Sequence, residues 1–291
     1  MVITESLSKG LRSAFWQYLE DENAKLLDRV TAIALKPAGD LSNSKQANKF
    51  FRQLDAAASS PVVLHKEVTG RRKNAVWWSI FLHCDEAHPF NSWNEKALRF
   101  QSDRVSAHPQ DWQPTWLTTL IGEHCVARLF QRMPWTEVPK PKDVFPELRE
   151  LALLVPWYAM VDRLLAHEND GATLTAFIPT NHGAFLGVHN PNDSGLMELR
   201  TFIGLHQMGD RQKALWAALR EAHGTNPFGT HLGDFMRPGN PKQKEVLIAC
   251  HQAFVNTYNA LVQYADLLGT EVLAEHPSLA LESQLEQASP G

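Results

Sequence analysis

The chain has 291 residues, 44% of them hydrophobic and 21% charged, which is typical of a globular protein with one large domain or two ordinary ones. A net charge of -4 at pH 7 excludes a protein that binds nucleic acid through bulk positive charge, so any phosphate binding must come from a local patch. Three widely spaced cysteines, Cys84, Cys125 and Cys250, argue against a disulfide framework or a zinc ribbon. The N-terminus lacks a secretory pattern and no apolar run is long enough to cross a bilayer, so we expect a cytoplasmic protein without a membrane partner.

The first 58 residues carry apolar side chains at helical spacing, including Leu11, Phe15 and Leu19. The residues PAGD at 37–40 break this pattern, and a second helical run follows from Ser44. These features predict a helical N-terminal segment over residues 1–58, which is either a packed helical hairpin or a module that binds a partner.

The next stretch changes character, because PVVLHKEV and AVWWSIFLH are rich in branched and aromatic residues. They predict a β-hairpin, and residues 96–102 (KALRFQS) predict a third strand. The intervening turn carries Arg71, Arg72 and Lys73, which are either solvated or in contact with a phosphate backbone.

The motif HCDEAH at residues 83–88 brings potential metal ligands together at the end of the second predicted strand. These ligands are His83, Asp85, Glu86 and His88. Their spacing matches no motif that fixes a coordination geometry, so a polar loop is the alternative to a metal site. We therefore predict neither a metal nor a cofactor for this chain.

Residues 116–135 (WLTTLIGEHCVARLFQRMPW) predict one helix bounded by Pro114 and Pro134. Along the edge of its apolar face, His124, Arg128 and Arg132 recur at steps of four and so form one stripe. Guanidinium groups beside a buried face need an anion, either a carboxylate of the fold or a phosphate of a ligand.

Residues 172–204 predict an antiparallel meander with strands at 173–178, 184–189 and 197–203. The first turn contains His182, and the third strand carries Thr201 on one face with Leu199, opposite Phe202. Two further helices are predicted after residue 208. The expected fold is therefore α+β, with an antiparallel meander packed on a helix that bears His and Arg. We expect the chain to divide into an N-terminal helical segment 1–58, an α+β core 59–208 and a C-terminal helical segment 209–291.

A histidine beside two arginines suits metal-independent cleavage of RNA through its 2′-hydroxyl. His124 is the predicted general base or acid, and Arg128 and Arg132 are predicted to hold the phosphate and stabilise the transition state. Thr201 is a predicted hydrogen-bond donor to a phosphate oxygen, and His182 a second proton carrier.

The pattern His124-x3-Arg128-x3-Arg132 followed by a meander with Arg200-Thr201 resembles the ribonuclease toxins of the barnase–EndoU–colicin–RelE superfamily. The resemblance covers residues 116–204 and implies a metal-independent endoribonuclease with RNA as substrate and an inhibitor or antitoxin protein as partner. This chain departs from the family in its acidic composition, its flanking segments and the roughly forty residues between helix and meander.

Two other interpretations stay open. In the first, the stripe is a solvated face whose charges pair with Glu123, Glu137 or Asp143. In the second, the protein is a non-catalytic module that binds phosphate or another protein.

Overall fold

The computed structural model describes most of the chain. The described residues are 1–34, 44–69, 75–90, 95–106, 113–166, 174–190, 196–223 and 242–268. In this part of the chain the protein is α+β, as predicted, with helices packed on a seven-stranded sheet. The predicted break at residues 37–40 and the basic turn at residues 71–73 lie outside the described residues.

The elements follow the chain in this order. The helices are α1 (Glu5–Ala34), α2 (Ser44–Ala57), α3 (Glu123–Arg132), α4 (Phe145–Ala166), α5 (Asp210–Ala222), α6 (Lys242–Gln263) and the short α7 (Ala265–Leu268). The strands are β1 (Val63–Thr69), β2 (Val76–Phe90), β3 (Glu95–Ser106), β4 (Gln113–Gly122), β5 (Leu174–Thr180), β6 (Gly183–Asn190) and β7 (Leu196–Gly204). Short 3₁₀ helices occupy Pro141–Val144 and Leu205–Gln207.

The sheet consists of two antiparallel meanders joined side by side. Strands β1 to β4 form the first and β5 to β7 the second, in the order β1-β2-β3-β4-β7-β6-β5. The junction pairs β4 with β7 in parallel, with Ile121 opposite Leu199. A parallel pair needs a crossover connection, and here the crossover contains α3 and α4. The second meander confirms the three predicted strands.

The predicted single helix over residues 116–135 is wrong in its first third, because β4 continues to Gly122 and α3 begins at Glu123. Thr118, Thr119 and Ile121 are β-branched and favour a strand. The pairing of Ile121 with Leu98 on one side and Leu199 on the other secures that choice. Tertiary pairing therefore decides the state of this run.

The predicted N-terminal and C-terminal helices are confirmed, and their buried side chains join one apolar core with the sheet. Phe15 of α1 packs edge-on against Phe130 of α3, with ring centroids 6.0 Å apart. Trp157 of α4 packs against Phe254 of α6 at 5.7 Å. Among the described residues, no helix is both long and apolar enough to span a bilayer.

A β-bulge at Arg200 alters the face that each residue of β7 presents. Leu186 pairs with Thr201 and the next residue, Gly187, pairs with Leu199, so Arg200 has no partner of its own. The prediction that Leu199 and Thr201 share a face opposite Phe202 is therefore wrong. Leu199 and Phe202 are both buried on the same face.

Candidate functional site

The candidate site is the stripe that α3 presents at its surface. Gly122 caps the N-terminus of α3 in an extended conformation, and Cys125, Val126, Leu129 and Phe130 bury its apolar face. Steps of four residues then place His124, Arg128 and Arg132 along the border of that face. His124 is exposed, whereas both arginines are half-buried.

The first contact within the stripe joins Arg128 to His124. Arg128 Nε donates to His124 Nε2 over 3.2 Å, and the same guanidinium also bonds the side-chain oxygen of Gln131. A guanidinium can only donate, so Nε2 of His124 must be the acceptor and the ring proton lies on Nδ1. In this arrangement His124 is neutral, and the lone pair that a general base would use is occupied by Arg128.

Arg132 attaches the end of α3 to the sheet. Its Nη1 donates to the carbonyl oxygen of Phe202 on β7 over 2.6 Å. Burial lowers the pKa of Arg132, and the positive charge of Arg128 lowers it further. The two guanidinium groups therefore repel each other along one side of the helix.

Two of the three carboxylates predicted as possible partners of the stripe are engaged elsewhere. Glu123 pairs with Arg12 of α1 at 3.3 Å, and Asp143 accepts the backbone N–H of Lys140 at 2.7 Å. Within the described part of the chain, neither arginine of the stripe forms an ion pair with a carboxylate.

A residue of α1 contributes to the same surface, which the sequence did not indicate. Glu5 pairs with Lys9 at 2.9 Å. Lys9 lowers the pKa of Glu5 most, and Arg128 and His124 lower it to a smaller extent. A carboxylate of α1 therefore lies within electrostatic reach of the stripe without neutralising it by direct contact.

Thr201 does not join the stripe. A methyl group added at Gly204 would lie 2.3 Å from the carbonyl oxygen of Arg132, so the face of β7 shared by Phe202 and Gly204 is the one against α3. Successive residues of a strand alternate between faces, so Thr201 lies on the opposite face. Its predicted role as a donor to a phosphate held by Arg128 has no geometric basis.

His182 lies on the turn between β5 and β6, close to the C-terminal end of α3. Gly183 pairs with Gly204, and Leu205 N donates to the carbonyl oxygen of His182 over 3.0 Å. The imidazole is exposed and its Nδ1 lies 3.0 Å from Oε2 of Glu147, a carboxylate only 1% exposed. The structure thus places His182 beyond the Arg132 end of the stripe and adds Glu147, a partner 35 residues away in sequence.

The HCDEAH motif lies within β2, which continues to Phe90, and not in a loop. Of the four potential ligands only His83 has a described side chain, so the alternative of a metal site at this motif lies outside the described side chains. Among the residues whose side chains are described, no group of three histidine, cysteine, aspartate or glutamate side chains is placed to hold a metal ion.

A cavity of about 370 Å³ adjoins the N-terminal end of α3. It is lined by Arg12, Ser13, Trp16, Gln17, Glu20, Lys96 and Glu123. None of the predicted site residues lines it, although Glu123 immediately precedes His124.

No protein-family model, curated protein or solved structure matches this chain.

Proposed function

We propose that the α3 stripe binds a phosphodiester group of RNA and that the protein cleaves this bond without a metal. The observation that carries the proposal is the placement of Arg128 and Arg132 one turn apart, with no carboxylate paired to either in the described residues. Like charges at this spacing destabilise a helix by roughly 0.2–0.5 kcal/mol. A bound phosphate replaces that repulsion by charge-assisted hydrogen bonds to both guanidinium groups.

The contact between Arg128 and His124 couples binding to catalysis. When the phosphate attracts Arg128, its Nε leaves His124 and the Nε2 lone pair becomes available. His124 then removes the proton of the 2′-hydroxyl, the 2′-oxygen bonds to phosphorus and the bond from phosphorus to the 5′-oxygen breaks. Arg132 stabilises the charge that develops on the phosphoryl oxygens.

A second proton carrier must protonate the departing 5′-oxygen, and His182 is our candidate. It is exposed and lies next to the strand end against which α3 terminates. The resemblance to the ribonuclease toxin superfamily supports the roles of His124, Arg128 and Arg132. It also implies a supporting role for Thr201, which the position of Thr201 on the opposite face of β7 does not favour.

The test is degradation of a single-stranded RNA in EDTA by the parent and by His124→Ala and Arg128→Ala. Because general acid–base catalysis contributes roughly 100- to 10,000-fold, the first variant is expected to lose at least about 100-fold in rate. Arg52→Ala, an exposed arginine on α2, is the matched control and should cleave like the parent. Cleavage that persists in His124→Ala, or that requires a divalent metal, contradicts the proposal.

A non-catalytic phosphate-binding module is the second candidate, favoured by the position of Thr201 on the opposite face of the sheet. In that case the parent binds RNA, with an affinity that decreases as salt increases, but cleaves nothing. Arg128→Ala and Arg132→Ala then weaken binding together, whereas His124→Ala leaves it unchanged.

The proposed activity also predicts where the protein acts and which kind of partner controls it. A ribonuclease of this kind acts where RNA is present, in the cytoplasm. If it is toxin-like, an inhibitor or antitoxin protein controls it by covering the α3 stripe.

A further inference from the structure

The turn between β5 and β6 is held by side chains from two helices. Glu150 of α4 accepts the backbone N–H of Asn181 at 2.8 Å, and Arg220 of α5 donates to the side-chain oxygen of Asn181 at 2.9 Å. Trp216 Nε1 donates to the carbonyl oxygens of Thr180 and Gly183 at 2.9 and 3.0 Å. An exposed turn is seldom fixed at so many points, and this one presents the imidazole of His182.

Glu147 contacts both the backbone and the ring of His182. Its Oε1 accepts the backbone N–H of His182 at 3.0 Å, and its Oε2 contacts ring atom Nδ1 at 3.0 Å. An ionised carboxylate can only accept hydrogen bonds, so Nδ1 of His182 carries a proton. The other ring nitrogen, Nε2, lies on the opposite side of the ring from Nδ1, in a side chain that is 44% exposed.

We propose that Glu147 is a positioning residue that keeps a proton on Nδ1 of His182, so that Nε2 is the ring atom that takes up a proton from water and delivers it to the 5′-oxygen leaving an RNA phosphodiester bound at the α3 stripe. The inference rests on the proposed function and identifies which ring atom of His182 acts. A carboxylate that fixes the orientation and tautomer of a histidine is a recurring device in acid–base catalysis.

Glu150 offers a matched control, because it holds the same turn without touching the ring. It forms an ion pair with Arg220 and accepts the N–H of Asn181. Glu147→Leu removes the acceptor of Nδ1, and Glu150→Leu removes a turn contact only. Glu147→Gln leaves one acceptor oxygen for two donors; with that oxygen on the backbone N–H of His182, its amide NH₂ faces Nδ1.

The experiment measures the ring ¹⁵N shifts of His182 by NMR in the full chain, together with the rate and pH profile of RNA cleavage. In the parent and Glu150→Leu, we expect the neutral ring to carry its proton on Nδ1. In Glu147→Leu we expect the proton on Nε2, the form that free histidine prefers, with cleavage slowed at least about tenfold and an altered pH profile.

An unchanged tautomer in Glu147→Leu, or the same change in Glu150→Leu, overturns the inference. If Glu147→Leu fails to fold, Glu147→Gln gives the same test: we expect its ring proton on Nε2, and a proton retained on Nδ1 overturns the inference. If the parent cleaves no RNA, the proposed function fails, while the NMR measurement still decides whether Glu147 sets the tautomer.

Discussion

His189 of β6 and Asp162 of α4 form a buried pair, with Nδ1 and Oδ2 2.7 Å apart and side-chain exposures of 1% and 6%. Burial raises the pKa of Asp162, and the hydrogen bond from His189 opposes that rise. The pair joins the second half of α4 to the second meander, at a distance from the α3 stripe. Its cost of desolvation is offset only while both partners are present.

Removing one partner is therefore expected to destabilise the fold strongly. Asp162→Leu leaves His189 buried without its acceptor and should lower the free energy of unfolding by about 3–5 kcal/mol. The double variant Asp162→Leu with His189→Leu should recover most of that loss, because two apolar side chains need no partner. Urea denaturation of the parent, Asp162→Leu, His189→Leu and the double variant measures the coupling.

The partly exposed pair of Arg200 and Glu198, 3.1 Å apart, is the control for this cycle. Its removal should cost less than about 1 kcal/mol, since water solvates both groups when they separate. A loss in Asp162→Leu no larger than this would mean that the buried pair does not stabilise the fold.

Two glycines should respond in opposite directions to substitution by alanine. Gly10 lies exposed in the interior of α1 with no heavy atom near an added Cβ, so Gly10→Ala should stabilise the protein by about 0.5–1 kcal/mol. At Gly204 an added Cβ would lie 2.3 Å from the Arg132 carbonyl oxygen, a backbone atom. Gly204→Ala should therefore destabilise the protein by about 1–3 kcal/mol.

Thermal or urea unfolding of the two variants checks this prediction. In Gly204→Ala the displaced end of α3 should also weaken any binding of RNA or phosphate to the stripe, whereas Gly10→Ala should leave binding unchanged. Equal stability of both variants would show that α3 is not held tightly against β7.

Hydrophobic periodicity and turn residues were sufficient to predict the α+β class, the terminal helices and the strands of the second meander. They failed at residues 116–122, because Ile121 continues the four-residue spacing of Cys125 and Leu129 although its chain is extended. Only the pairing of β4 with β3 and β7, which joins segments distant in sequence, separates the two states.

The candidate site shows the same limit. The stripe itself was predictable, since it depends on spacing within one helix. The bulge that turns Thr201 away was not, because it depends on the register of β6 against β7. Glu147 was missed because its contact with His182 spans 35 residues. Its position three residues before Glu150, at the start of a helix, gave no local indication of such a contact.

Arg132 has a structural role that Arg128 lacks. Its hydrogen bond to the Phe202 carbonyl oxygen attaches α3 to β7, whereas Arg128 bonds only within its own helix among the described residues. Arg132→Ala should therefore cost about 1.5 kcal/mol, at the low end for a charged donor because the guanidinium is half-buried.

Arg128→Ala is the control and should change stability by less than about 0.5 kcal/mol in urea unfolding. Equal destabilisation by both substitutions would show that the bond to Phe202 contributes nothing measurable.

The protein should lose stability in acid through His223, the residue that ends α5. Burial, assisted by the charge of Arg220, lowers the pKa of His223 from 6.5 to about 4. Between pH 6.5 and pH 4 the imidazole is protonated in the unfolded chain and neutral in the folded chain. The free energy of unfolding therefore falls as pH falls from 6.5 to 4. Above pH 6.5 both states are neutral and the effect vanishes. A difference of this size corresponds to at most about 3 kcal/mol.

His223→Phe retains a ring against Tyr158, whose ring lies edge-on at 6.0 Å, but cannot titrate. Urea unfolding at pH 4, 5, 6 and 7 should show that the free energy of unfolding falls less steeply with pH in His223→Phe than in the parent. In the control His206→Ala, which changes an exposed histidine, it should fall as in the parent. Parallel curves for the parent and His223→Phe would mean that His223 takes up its proton equally in both states.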